Sequence, residues 1–327
     1  MTAAPWVSTD HTVVAWHFAD RFIASARLLK NPLCVGLDPH LERIPAPFGV
    51  RVDDLASDQT ADGVQAFFEA VIDACAGKVP IVKPQIAFFE QLGWRGIRVL
   101  EALVNRARER GLLVLLDAKR GDLASTAQAY AQSYLLPNSP CRADAITLNP
   151  YLGMDSLQPF LDASRAHGVG LFVLARTSNP GAAHFQSQLI DGVPLYERVA
   201  EALVPSAQEL CGETGWSNLG VVAGATYPTE SARLRRVLPN ALFLVPGYGA
   251  QGASVGATLA GFMPRGDHLE GGMVSSSRGI LFGDGPLAQD LDEWRSAFNA
   301  RLDDARRELS EAVLLKPEKA TLRLRTI

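Results

Sequence analysis

Cysteine is scarce in this chain. Four residues in 327, Cys34, Cys75, Cys141 and Cys211, lie far apart with no CxxC pair. That spacing argues against a disulfide scaffold, a zinc cluster or a redox dithiol, and the four read as free thiols of a reducing compartment. Long apolar runs are missing as well. None approaches the ~18 residues of a membrane span, and Met1–Phe22 lacks a basic stretch followed by an apolar core, so no secretory signal is expected. There is no excess of positive charge: 31 Lys and Arg face 35 Asp and Glu, a formal net charge of −4. This argues against a general nucleic-acid binder but leaves room for a local pocket for a small anion. The six histidines form no HExxH or similar ligand spacing, and neither a GxSxG elbow nor a GxxxxGK[ST] loop occurs. The expectation is a cytoplasmic protein with no membrane or nucleic-acid partner and no evident metal or redox cofactor.

What the chain does have is short apolar runs repeated from end to end. They are Leu33–Asp38, Ile81–Gln85, Leu113–Lys119, Ala145–Asn149, Leu171–Arg176, Leu219–Ala225, Ala241–Gly247 and Met273–Arg278. Helical periodicity fills most of the gaps, as in Ala66–Ala76, Gly96–Arg110 and Leu195–Cys211. Continuously apolar strands alternating with helices indicate parallel strands buried on both faces. About eight such units, at this length, predict an α/β fold of the (β/α)8 TIM-barrel type. An open doubly wound sheet is the alternative, but no linker or composition break splits the chain into two lobes. The predicted organisation is a tail over 1–14, one catalytic barrel over 15–315 and a second tail over 316–327. Trp16–Leu29 reads as a helix leading into the first strand. Leu287–Leu315 reads as the last barrel helix, with Leu287, Leu291, Trp294, Phe298, Leu302 and Leu309 on its apolar face.

Charged residues sit where the apolar runs stop: Asp38, Lys83, Asp117, Lys119, Arg176 and Arg278. In a barrel these ends form the active-site face. Asp117 and Lys119 are two apart, so a continuing strand would point both into the barrel mouth, with Asp122 in the loop beyond. An isolated Asp–Lys pair could simply cap the barrel; further ionic strand ends on the same face favour chemistry. The run Pro246–Gly252 contains GxGxxG but follows the seventh strand, not the first, which speaks against a dinucleotide fingerprint. Loops after strands seven and eight of barrels often hold phosphate. Glycines such as Gly249 let backbone N–H groups approach the anion, Gln251 adds an amide donor and Arg278 can grip the charge. A plain glycine-rich turn beside a surface arginine is the alternative.

At this point the motifs resemble a known family. Asp117-Ala-Lys-Arg-Gly-Asp122 matches the D-x-K-x-x-D signature of the orotidine 5′-phosphate decarboxylase suprafamily. LDAKRGDLASTAQAYA, IVKPQIAFFE, NPYLGMDSL, RTSNPGA and VPGYGAQGA together resemble its longer bacterial subgroup, type 2, over roughly residues 15–300. Metal-dependent sugar-phosphate decarboxylases and aldolases of the suprafamily share the signature but carry an acidic metal ligand at the end of strand two. Here that position is Lys83, which cannot help hold a divalent cation and matches the Lys-Asp-Lys-Asp tetrad of the decarboxylases.

The resemblance implies cofactor-free decarboxylation of orotidine 5′-phosphate to UMP and CO2 in pyrimidine biosynthesis. It implies Lys83, Asp117, Lys119 and Asp122 as catalytic, with Lys119 stabilising and protonating C6. It implies Asp38 on the ribose, Ser178 on the pyrimidine edge, Gln251 bridging phosphate and base, and Arg278 on the phosphate. Asp122 and Thr126 resemble the pair that the family contributes across a homodimer interface to the neighbouring site. Two other readings are a Schiff-base aldolase using Lys83 or Lys119 and a catalytically silent nucleotide-binding protein.

Overall fold

The computed structural model describes residues 17–248 and 254–315. Eight parallel strands close into a barrel in chain order: β1 (Leu33–Leu37), β2 (Ile81–Pro84), β3 (Leu113–Arg120), β4 (Ala145–Leu148), β5 (Gly170–Arg176), β6 (Ser217–Ala223), β7 (Ala241–Pro246) and β8 (Gly272–Ser276), with β8 pairing back onto β1. The fold is the predicted (β/α)8 TIM barrel. Both expected tails, 1–14 and 316–327, lie outside the described residues.

The strands are apolar throughout because each serves two cores. Cys34, Ile81, Leu113, Leu115, Ala145, Phe172, Leu242, Leu244 and Met273 point into the barrel, in one buried cluster. Their neighbours Leu33, Val35, Val82, Val114, Leu116, Ile146, Leu171 and Val173 point outward against the helices, in another. A period-2 strand with both faces covered has no polar side to show. The outer helices include Asp58–Cys75, Gly93–Glu109, Ala124–Tyr134, Gln158–His167, Leu195–Glu209 and Pro228–Val237. Asp58–Cys75 is started by Ser57, whose Oγ accepts the Thr60 N–H at 3.1 Å.

Two helices depart from expectation. Phe18–Leu29 does more than lead into β1: it closes the N-terminal end of the barrel, burying Phe18, Ala19, Phe22 and Ile23 in the inner cluster. Phe18 meets Phe172 edge-on at 5.9 Å, and a side chain at Gly170 would collide with the Phe18 ring. The last long helix spans Leu291–Val313, with the Asp290 carboxylate accepting the N–H groups of Asp292 and Glu293 at 3.0 and 2.8 Å. This cap fixes the start after Leu287, and Leu287 and Leu291 are exposed instead of joining the buried face of Trp294, Phe298, Leu302 and Leu309.

Candidate active site

The inner apolar layers give way to ions at the C-terminal ends of β2 and β3. Lys83 on β2 lies beside Gly36 of β1, and the Asp117 backbone bridges to Gln85 just past β2. Lys83 Nζ donates to Asp117 Oδ2 at 2.9 Å, and Lys119 Nζ donates to Asp117 Oδ1 at 2.6 Å. The Thr147 hydroxyl on β4 also donates to Asp117 Oδ1, at 2.9 Å. Lys83 and Asp117 are buried, while the Lys119 side chain is 46% exposed. Burial alone would raise the Asp117 carboxyl, but the Lys83 and Lys119 charges outweigh it and hold the group well below the usual carboxylate range. For Lys83, burial favours the neutral amine, yet Asp117 and then Asp38 outweigh it and keep its ammonium above the usual lysine range. Beneath them Cys34 is fully enclosed, and burial pushes its thiol up to about 12 against the opposing charge of Lys83. It is an inert wall residue.

Simple strand alternation is not what brings Lys119 to Asp117. The β3–β4 ladder runs Leu115↔Ala145 and Leu116↔Ile146, then jumps to Arg120↔Leu148. Lys119 takes a left-handed backbone with φ of 48°, a conformation that costs a non-glycine residue about 1–2 kcal/mol. The bulge turns Lys119 back over the carboxylate while its stem remains half in solvent. A catalytic site is where such strain is commonly retained.

Asp38 follows β1, and its Oδ1 is buried with no hydrogen-bond partner among the described residues. The same holds for Ser277 Oγ just after β8. A β-carbon at Gly36 would lie 2.6 Å from the Ser277 β-carbon, so glycine is what lets the loop after β8 cross the end of β1. A buried polar atom without a partner costs about 1–3 kcal/mol. Two of them just past β1 and β8, on the same face of the barrel as the ions of β2 and β3, mark a place for a polar ligand. Ser178 is half-buried in the loop after β5, held against β6 where a β-carbon at Gly224 would lie 3.0 Å from the Ser178 Cα.

Some expected positions differ. β8 ends at Ser276, and Arg278 is exposed at the start of a short helix, Arg278–Leu281, with no carboxylate paired to it among the described residues. Arg176 does not offer its charge to the mouth: a register shift after Leu174 turns it aside, and it is buried in an ion pair with Glu230, 3.8 Å over the Tyr227 ring. Asp122 joins none of the three ions. Its half-buried carboxylate accepts the Leu123 N–H at 2.7 Å, and Thr126 is exposed on the following helix. Gly249 and Gln251 lie outside the described residues. Thr147 and Ser277 were missed in the sequence; a lone hydroxyl inside an apolar strand and a serine at a strand end were their only signals.

Among the described residues no group of three or more His, Cys, Asp or Glu is placed to hold a metal ion. What the arrangement can do is present two ammonium groups and one carboxylate to a ligand that fills the polar gaps around Asp38 and Ser277.

Comparison with known proteins gives the family and the fold. The model of the orotidine 5′-phosphate decarboxylase / HUMPS family matches residues 31–288. An orotidine 5′-phosphate decarboxylase of Rhodopirellula baltica is 40% identical over 291 residues, covering 86% of this chain and 95% of that one. Its counterpart from a Nocardioides species is 44% identical over 227 residues, covering 69% and 79%. The structure of Leishmania donovani OMP decarboxylase is similar at a TM-score of 0.66 and 32% identity, covering 89% of this chain and 99% of that one. Shared over nearly the whole barrel, these likenesses establish that the chain belongs to the orotidine 5′-phosphate decarboxylase / HUMPS family.

Proposed function

We propose that this protein converts orotidine 5′-phosphate to UMP and CO2 in pyrimidine biosynthesis, without a cofactor. The observation that carries the reading is Lys83. A metal-dependent sugar-phosphate enzyme needs a carboxylate at the end of β2, and here an ammonium stands 2.9 Å from Asp117. Loss of CO2 leaves its bonding electron pair on C6 of the pyrimidine, with no adjacent electron sink. Fixed positive charge must stabilise that pair, and a proton must follow. The Lys119 ammonium, on a half-exposed side chain and held by Asp117, is placed to do both. The proton passes from its Nζ to C6, and solvent restores it afterwards.

Asp117 lies against the substrate carboxylate and orders both lysines, with Lys83 holding Asp117 and the ribose hydroxyls. Asp38 takes the ribose, Ser178 the pyrimidine edge, and Arg278, Gly249 and Gln251 the phosphate. An exposed arginine without a carboxylate partner suits a ligand dianion. Asp122 and Thr126 complete the neighbouring site of a homodimer. Exposed apolar Leu123, Tyr151 and Leu152 lie on the loops after β3 and β4 and support an interface there. No helix among the described residues is long and apolar enough to cross a membrane, and the protein acts in the cytoplasm as one domain.

Purified protein mixed with orotidine 5′-phosphate should consume its ultraviolet absorbance and release UMP, undiminished by a chelator. Activity that a chelator abolishes and a divalent ion restores would instead assign the metal-dependent sugar-phosphate chemistry of the suprafamily.

A further inference from the structure

Three residues of β3, Asp117, Ala118 and Lys119, stand opposite a single residue of β4, Thr147. The β-ladder therefore has no β4 carbonyl for the amides inside the bulge. Thr147 Oγ1 takes that place, accepting the N–H groups of Ala118 and Lys119 at 2.9 Å each. A hydroxyl has two lone pairs and one proton. With both lone pairs occupied by backbone donors, the direction of the proton is fixed: it goes to Asp117 Oδ1, 2.9 Å away. Thr147 is fully buried, so water does not compete. Its β-branch also restricts χ1, which leaves the hydroxyl little freedom to turn elsewhere.

We propose that Thr147 is a positioning residue for the reaction, setting both the rotation of the Asp117 carboxylate and the bulge that returns Lys119 over it. The two tasks are coupled through one oxygen. Because Oδ1 receives the hydroxyl and Lys119, Oδ2 is left to face Lys83. Because the two amides converge on Oγ1, the left-handed Lys119 backbone is held without a ladder bond. The lysine is thereby aimed by β4, not by its own strand. The kinetic consequence rests on the decarboxylase reading; the structural one does not.

The test compares Thr147→Val, which keeps shape and removes the hydroxyl, with Thr147→Ser, which keeps the hydroxyl. Thr147→Val should lower kcat roughly 10- to 100-fold, the scale of a hydrogen bond to an ionised group. KM should change by less than about threefold, because the phosphate and ribose contacts are untouched. Thr147→Ser should restore kcat to within about fivefold of wild type. A crystal structure of Thr147→Val should show the Asp117 carboxylate rotated or Lys119 out of its left-handed conformation. Should the valine variant not fold, Thr147→Cys, a similar volume with a much weaker donor, takes its place in every measurement. The proposal is overturned if valine and serine lose activity equally, if valine retains kcat, or if Asp117 and Lys119 are unmoved in its crystal structure. A wild type inactive on orotidine 5′-phosphate would sink the decarboxylase reading alone, and the crystal comparison would still decide the role of Thr147.

Discussion

The two ends of this barrel both bury a paired carboxylate, and they differ in what they leave without a partner. At the N-terminal end Glu270, 4% exposed, accepts Arg27 Nε and Nη2 at 3.1 Å each and Trp216 Nε1 at 3.2 Å, with His268 Nε2 at 2.6 Å. Nearby Arg235 meets no carboxylate among the described residues, but donates to the carbonyls of Gly261, Leu238, Pro239, Ala241 and Gly271 at 2.7–3.1 Å. Burial lowers its guanidinium to about 9. At the C-terminal end Asp117 is held by Lys83, Lys119 and Thr147, but Asp38 and Ser277 hold buried atoms with no partner among the described residues. Burying charge carries a desolvation cost at both ends. One end matches it within the chain, which serves stability. The other leaves capacity unspent, and that capacity is what a substrate can use.

The sharpest way to break this contrast is to remove Lys119. Asp117 would keep Lys83 and Thr147, so Lys119→Ala should fold and melt within a few degrees of wild type. It should lose roughly 10⁴-fold or more in kcat, since it removes both charge stabilisation and the proton donor. More than a few per cent of wild-type turnover would show that the lysine is structural, as at the other end.

The barrel and the Asp117–Lys119 pair were legible because parallel strands write continuous apolar runs and buried ions interrupt them. Thr147 was not legible, since a threonine in such a run carries no mark of the bulge opposite it. Arg176 was misread for a related reason: strand parity fails where the register shifts after Leu174, and the sequence does not display the shift. The closing role of Phe18–Leu29 was hidden too, because an amphipathic pattern names a buried face without naming what it covers.

At the C-terminal end Asp122 meets no other ion among the described residues; its carboxylate accepts the Leu123 N–H. If it completes a neighbour's site, Lys119→Ala and Asp122→Ala homodimers should each be nearly inactive. Refolded together, they should form mixed dimers with one intact site. Random pairing then restores about a quarter of wild-type activity. Mixed dimers verified by mass spectrometry but without activity would place Asp122 in its own subunit's site.

A change at the opposite end should reverse the pattern. Glu270→Gln keeps the shape and removes the charge that Arg27 and His268 face. Stability should fall by about 1–3 kcal/mol, the scale of hydrogen bonds to a charged group whose partner is half in solvent, while kcat/KM of the folded enzyme stays within about twofold of wild type. Loss of turnover in a protein of unchanged melting temperature would erase the distinction between the two ends.

The smallest effect expected is a pH dependence. The Asp117 carboxyl is held below its unfolded value chiefly by Lys83 and Lys119, against the cost of burial. A depressed folded pKa adds stability that is present above the unfolded value and is lost as pH falls toward the folded one. Asp117→Asn lacks this contribution at every pH. The stability gap between wild type and Asp117→Asn, measured by urea unfolding, should therefore be widest near neutrality. It should narrow by about 1–3 kcal/mol on acidification below about pH 4, where the unfolded carboxylate takes up its proton. A gap between wild type and Asp117→Asn that stays constant through the acid range would mean that the two lysines do not hold Asp117 as a carboxylate, and the ionic account of the C-terminal end would fail.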